Sequence, residues 1–238
     1  MLRSLAVLTI LLSPSTATAA PVCEARTGAT QNPVIELYTS EGCSSCPPAD
    51  RWLSTLNANI NTTQAVVQSF HVSYWDYIGW KDRFASPDYT ARQRQVAIWH
   101  NARQVFTPQI TRDGGNTEPF KLSKTTKPAR ATIVISSEDK NQFVADVVPN
   151  DPNATWAAYW TVTEDGHSSK VKAGENRGET LKHDFVVRQY VEVASQRGKG
   201  RVNLKATPAE AAHLRRVNLT VYDPATGTPW QAVSLPCS

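Results

Sequence analysis

The chain has 238 residues, 40% of them hydrophobic and 19% charged, with 25 basic against 21 acidic side chains. It is too apolar for a disordered chain, and four cysteines are too few for a fold built on disulfides. The length suits one large or two small domains at roughly 100–150 residues each, and without a basic tract the net charge of +4 leaves no footprint for nucleic acid.

At the start, Arg3 precedes an apolar run at residues 5–12, and Ala17-Thr18-Ala19 supplies the small-x-small pattern that signal peptidase reads. The run is too short to span a bilayer. Residues 1–19 are therefore read as a cleaved secretory signal, with no membrane insertion afterwards and a periplasmic or secreted destination. Cysteines in such an oxidising compartment are normally paired. Of the three possible connectivities, Cys43–Cys46 with Cys23–Cys237 is the economical one. The second bridge is a structural disulfide that closes a long loop, contributing up to about 4–5 kcal/mol in the chain-entropy model.

Residues 33–39 (PVIELYT) predict a buried strand, residues 40–42 a turn, and residues 47–60 a helix beginning at or just before Cys46. Residues 65–72 are the next strand, and residues 74–84 an aromatic-rich irregular stretch. Ser86 caps a helix with Pro87 at its first position, running to about Ala102. A strand at residues 105–110 is entered through Thr107-Pro108, and residues 113–116 turn the chain. Residues 118–130 read as a polar connector. Beyond it, strands are expected at 131–136, 142–148, 155–163, 168–173, 185–194, 201–206 and 214–222. Residues 164–167 and 223–228 are expected as hairpin turns, and residues 207–212 as one helical turn. The chain thus divides into a mixed α/β domain at 20–117 and a β-rich, sandwich-like domain at 131–238.

The C-x-x-C of Cys43 and Cys46 carries the chemistry. Placed between a buried strand and a helix start, it meets unpaired backbone N–H groups and a helix dipole, which stabilise a thiolate, the species that attacks disulfides. Cys43, at the expected exposed end of the turn, is the candidate nucleophile, and Cys46 the resolving thiol. Glu41 opposes thiolate formation, modestly if it is solvated. Zinc would need a second ligand pair, and no second C-x-x-C or H-x-H is present.

Strand, Cys43-Ser44-Ser45-Cys46, helix, strand, helix and Thr107-Pro108 before a strand together resemble the thioredoxin fold. That resemblance implies that Pro108 is a cis-proline facing the cysteines, and that an aromatic loop and helix are inserted around residues 74–94. It also raises Glu36 as a stand-in for the family's buried acid. Over nearly the whole mature chain, ELYTSEGCSSCPPAD, FHVSYWDYIGWKDRFASPDYTARQ, VFTPQ and AGENRGETLKHDFVVRQ resemble the exported family called domain of unknown function 1223. That family is thioredoxin-like over its first half and has no established role.

Trp75 and Asp76 are the expected substrate contacts from the aromatic stretch, and Thr107 and Gln109 those flanking Pro108. His71 is either a proton shuttle near Cys43 or a buried histidine. The loop at residues 173–178 is expected to pair Glu175 and Arg177 with the first half or to bind something itself. His167, His183 and His213 look scattered, without carboxylate partners. The leading expectation is an exported thiol–disulfide oxidoreductase that needs no cofactor or metal and acts on a protein or small-molecule thiol or disulfide, with an unknown redox partner. The alternatives are a non-catalytic binding or scaffold protein, and a soft-metal (copper) carrier using Cys43, Cys46 and His71.

Overall fold

The computed structural model describes residues 23–137, 139–210 and 213–236, with residues 62 and 63 as backbone only. The expected signal sequence and Cys237, and with it the expected Cys23–Cys237 bridge, lie outside the described residues. In chain order the first half contains β1 (Glu24–Arg26), β2 (Val34–Thr39), α1 (Pro47–Thr55), α2 (Ile60–Thr63), β3 (Val66–His71), α3 (Pro87–Trp99), β4 (Gln109–Arg112) and β5 (Gly115–Asn116). There follow β6 (Ala131–Ser137), β7 (Gln142–Pro149), β8 (Thr155–Glu164), β9 (His167–Lys170) and β10 (Thr180–His183). The last strands are β11 (Val186–Arg197), β12 (Gly200–Lys205), β13 (Arg215–Tyr222) and β14 (Pro229–Pro236). The fold is mostly β, with several sheets and few helices.

One sheet has eight strands in the order β14-β13-β8-β11-β3-β2-β4-β5, a second has the order β1-β6-β7-β12, and β9 pairs with β10. The large sheet draws strands from both sides of residues 118–130. Its seam is narrow: β3 meets β11 in parallel at the single pair Val186↔Ser69, reinforced by the Ser69 N–H donating to Phe185 O at 2.8 Å.

β2 runs parallel to β3 and antiparallel to β4. Both β2 and β3 are buried along their whole length, as strands covered on two faces should be. Alternation sends Ile35, Leu37 and Val67 to one face, where Leu53 of α1 packs on them with Leu56. Tyr38, Phe70 and Val72 go to the other, beneath Tyr89 and Val96 of α3. Past the seam, Ile133 and Phe143 of the four-stranded sheet interlock with Trp156, Trp160 and Leu219 of the large one. This is sheet-on-sheet packing.

Several boundaries differ from expectation. Residues 164–167 do not close a hairpin. Both edges of β8 are occupied, by β11 and β13, so β9 leaves it and pairs with β10 instead. β4 starts at Gln109 rather than at residue 105, because Phe106 is half exposed and stands off the sheet. α3 ends at Trp99, and residues 207–210 are not helical. β1 and β10 were not expected, nor was β5, which falls within the expected turn at residues 113–116. The sequence sets no bounds for β14, as Pro229, Gln231 and Pro236 break its apolar pattern, and it pairs along β13 regardless. The turn at residues 223–228 does join β13 to β14, and Ser86 caps α3 by accepting the Asp88 N–H at 3.2 Å.

Candidate redox site and the polar cluster beneath it

β2 delivers the chain into the turn Ser40-Glu41-Gly42, and α1 begins at Pro47, just past the second cysteine. Cys43 and Cys46 are joined as a disulfide, with Cα atoms 5.4 Å apart. The first helical carbonyl is Cys46 O, which accepts from the Ala49 N–H at 2.9 Å and the Asp50 N–H at 3.1 Å. Gly42 permits a close approach: a Cβ there would stand 3.1 Å from Trp75 Cβ and 3.2 Å from Ile78 Cδ1.

Cys43 is not at an exposed end. It is 1% exposed and Cys46 0%, while Ser44 and Ser45 form the outer surface of the turn. A loop from the other half of the chain is bonded to this turn. Asn176 is buried, and its Nδ2 donates to Glu41 O at 2.9 Å and to Cys43 O at 3.0 Å. Glu175 Oε2 accepts the Ser44 N–H at 3.0 Å, and its bonds from Ser44 hold its carboxyl below the ordinary range. At Gly174, whose φ is +73°, a Cβ would stand 3.3 Å from Ile78 Cδ1. Glu175 thus makes the expected contact with the first half, whereas Arg177 is exposed.

Replacing Asn176 with Ala removes the donor from two buried carbonyls, at a cost of about 1–3 kcal/mol. At 1.4 kcal/mol per tenfold, loop opening becomes roughly 5–140 times more favourable. Dithiothreitol should reduce Cys43–Cys46 faster by about that factor, read by quenched thiol labelling. An unchanged rate would mean that the loop does not control access.

Two cavities flank the Ser44-Ser45 turn. One, of about 420 Å³, is lined by Ser45, Pro48, Phe106 and Pro108. The other, of about 450 Å³, is lined by Ser44, Asp50, Glu175, Lys182 and His183. The Thr107–Pro108 bond is cis. Thr107 Oγ1 accepts the Trp75 Nε1–H at 2.7 Å, tying the aromatic stretch to the Pro108 loop.

Gln109 turns inward instead. It is buried, donates to Asn116 Oδ1 and accepts from Gln93 Nε2, both at 2.8 Å, so its amide is committed to the interior. Asp76 accepts the Asp82 N–H at 3.2 Å and so braces its own loop. Glu36 does not lie free under the cysteines. Arg92 donates to its Oε1 at 2.7 Å, as does the Tyr159 hydroxyl, and the Tyr38 hydroxyl donates to Oε2 at 2.9 Å. Burial raises the Glu36 pKa, but the Arg92 charge and these bonds win and hold it low.

The polar group beneath the cysteines is a different one. Glu41 is fully buried rather than solvated, and its Oε2 accepts the Trp80 Nε1–H at 2.7 Å. Its Oε1 stands 3.3 Å from His183 Nε2, and the opposite nitrogen, Nδ1, stands 3.8 Å from Asp50 Oδ1. His71 Nδ1 is 2.6 Å from Asp82 Oδ2, which also accepts the Glu41 N–H. Burial lowers the His183 pKa, but Asp50 and Glu41 push it up to about 9. Asp82 is held low: burial raises it, and the partnership with His71 outweighs that.

The expectation that the later histidines lack carboxylate partners is therefore corrected. His167 Nε2 is likewise 3.0 Å from Glu164 Oε2. Among the described residues the metal-competent groups are Asp50–His71–His183 and His167–Glu210–His213, and neither includes a cysteine. Sequence reading missed the first because its members lie 21 and 112 positions apart along the chain. The one local signal was Asp50, one helical turn after Cys46.

Fold and site together define a mostly β protein with a C-x-x-C disulfide at a helix start, covered by a loop from a distant strand pair. The chain belongs to the family described as Protein of unknown function (DUF1223), which residues 34–222 match. It is similar in fold to the crystal structure of an Agrobacterium tumefaciens protein, a structural-genomics target, with a TM-score of 0.66 at 21% identity over 89% of this chain and 97% of that one. Comparison with curated proteins finds no match.

Proposed function

We propose that the protein is an exported, thioredoxin-like thiol–disulfide exchange protein whose disulfide is gated by the loop at residues 174–178. The observation that carries this reading is an oxidised Cys43–Cys46 pair on the first turn leading into α1, with Pro108 and Ser45 sharing one cavity beside it. The order β2, C-x-x-C, α1, β3, α3, β4, with β2 parallel to β3 and antiparallel to β4, supports the thioredoxin comparison. Arg3, the apolar run and Ala17-Thr18-Ala19 support export.

With the loop open, a substrate thiolate attacks Cys43 Sγ. The Cys43–Cys46 bond breaks, Cys46 leaves as a thiolate, and a mixed disulfide forms. A second substrate thiol, deprotonated, then attacks the substrate sulfur of that mixed disulfide and releases Cys43. The substrate is oxidised by two electrons, the protein is left as a dithiol, and the two protons pass to the protein thiolates or to water. Reduction of a substrate disulfide is the same sequence reversed. Trp75 and Thr107, both partly exposed beside Pro108, are positioned to meet the substrate.

One observation favours a second reading, an inert disulfide in a binding or scaffold protein: the near-complete burial of Cys43. A single experiment separates the two. The wild-type protein is equilibrated with dithiothreitol at neutral pH, then assayed for insulin reduction and for oxidation of a model dithiol peptide. Reversible reduction with turnover in either assay is expected. A disulfide that stays closed, with no turnover, would leave the scaffold reading.

A further inference from the structure

We propose that Asp50, His71 and His183 form a binding site for a divalent transition metal of the zinc class, separate from the disulfide chemistry. One donor atom from each residue lies within 4.8 Å of the others, and all three side chains are more than nine-tenths buried. Donors around a four-coordinate metal with bonds of about 2.0–2.2 Å sit roughly 3.3–3.6 Å apart. The 3.8 Å between His183 Nδ1 and Asp50 Oδ1 is already close to that.

The orientation of each ring is the stronger indication. A metal-binding histidine generally presents one nitrogen to the ion while a carboxylate or carbonyl holds the other. Here His71 Nδ1 is held by Asp82 at 2.6 Å, and its Nε2 is buried with no hydrogen-bond partner. His183 Nε2 stands 3.3 Å from Glu41 Oε1 and Nδ1 stands 3.8 Å from Asp50 Oδ1, and both nitrogens are buried without a hydrogen bond. Each ring thus has a carboxylate beside one nitrogen, and one donor atom from each ring and from Asp50 falls within 4.8 Å of the others. Asp50 is prepared in the same manner: its Oδ2 accepts the Thr39 hydroxyl at 3.1 Å, leaving Oδ1 toward the histidines. The backing carboxylates are themselves fixed, Glu41 by Trp80 and Asp82 by the Glu41 and Phe84 N–H groups.

Charge agrees with geometry. Glu41, Asp50 and Asp82 are three buried carboxylates whose ion pairs, among the described residues, are all with His71 or His183. Buried charge needs a partner, and a dication supplies one. Entry is through the cavity of about 450 Å³ that Asp50 and His183 line, which leaves the fourth coordination position for water or a ligand from that side. Two imidazoles and a carboxylate suit zinc and its neighbours better than magnesium or calcium.

The test uses the mature protein with Cys43–Cys46 oxidised, so that the thiols contribute nothing. After chelator treatment and desalting, Zn(II) is titrated calorimetrically. We expect one ion bound per chain, and loss of at least about 100-fold in affinity in His183→Ala. Asp82→Asn, which weakens the backing of His71 without removing a ligand, should lose about 10–100-fold, whereas His213→Ala, in the other histidine cluster, should bind as wild type does. Should the variants fail to fold, Co(II) added to the wild type gives the intense visible bands of a four- or five-coordinate site, without a thiolate charge-transfer band. Absence of micromolar Zn(II) binding, binding unchanged in folded His183→Ala, or a pale octahedral cobalt spectrum would overturn the site. Redox turnover of the disulfide is neither required for these results nor affected by their failure.

Discussion

Arg92→Met should destabilise the protein by about 3–5 kcal/mol, the usual consequence of leaving a buried charge without its partner. The Glu36 carboxylate is 2% exposed, and Arg92, itself 6% exposed, is its only charged partner among the described residues. The Tyr38 and Tyr159 hydroxyls remain in the variant, but neutral donors replace only part of the lost attraction. Arg92 also stacks 4.1 Å over the Tyr159 ring, a contact that Met would fill with apolar volume. For a chain of this size the midpoint of thermal unfolding should fall by roughly 6–20 °C. The double variant Arg92→Met with Glu36→Gln should recover much of the loss, since no uncompensated charge stays behind. A single-variant cost under about 1 kcal/mol would show that the pair does not brace the sheet.

The same pair predicts an acid limb. Glu36 is held below its ordinary pKa of 4.5 in the folded chain, and Asp82 below 3.8. Between the folded and unfolded values the unfolded chain binds more protons. The stabilisation is therefore complete above the unfolded pKa and is lost as pH falls through the folded one. Urea midpoints measured from pH 6 down to pH 3 should decline, and Glu36→Gln should flatten the decline.

The cysteine pair carries the largest functional effect. Cys43→Ser should abolish turnover in both insulin reduction and dithiol oxidation, because the attacked sulfur is gone. Cys46→Ala should instead accumulate mixed disulfides at Cys43, visible as added mass that dithiothreitol removes, since no resolving thiol remains. The distinction rests on placement: Cys43 lies between the exposed turn and the Asn176 latch, whereas Cys46 opens α1 with its carbonyl in the first helical bonds. Full turnover in Cys43→Ser would end the exchange mechanism. Trapping at Cys46 in place of Cys43 would reverse the two roles. Both variants lose the disulfide, so their folding should be checked by circular dichroism beside the wild type reduced with dithiothreitol.

What could be read from residues alone was local. Val34–Thr39 is a run of strand formers ending in a turn, Pro47 has the fixed φ that suits a first helical position, and Ser86-Pro87 is a cap that works without outside help. The turn at residues 223–228 closes a hairpin by its own Asp, Gly and Thr contacts. Each of these depends on neighbours within a few positions, so pattern and propensity suffice. Contacts between distant residues were beyond reach in the same way that they are beyond propensity. β9 leaves β8 because β11 and β13 already occupy both its edges, which no feature of residues 164–170 declares. The turn that carries Cys43 is tied down by Asn176, 133 positions away, which donates to the Cys43 carbonyl. His183 meets Glu41 and Asp50 because β10 is brought against α1 and the Ser40–Gly42 turn, and His71 arrives at the end of β3. Local chemistry settled most of the segments that become strands and helices and where the disulfide-forming pair sits. Only the packing of distant elements decided what covers that pair and which buried charges gather beneath it, since burial and charge pairing are properties of contacts and the sequence order does not carry them.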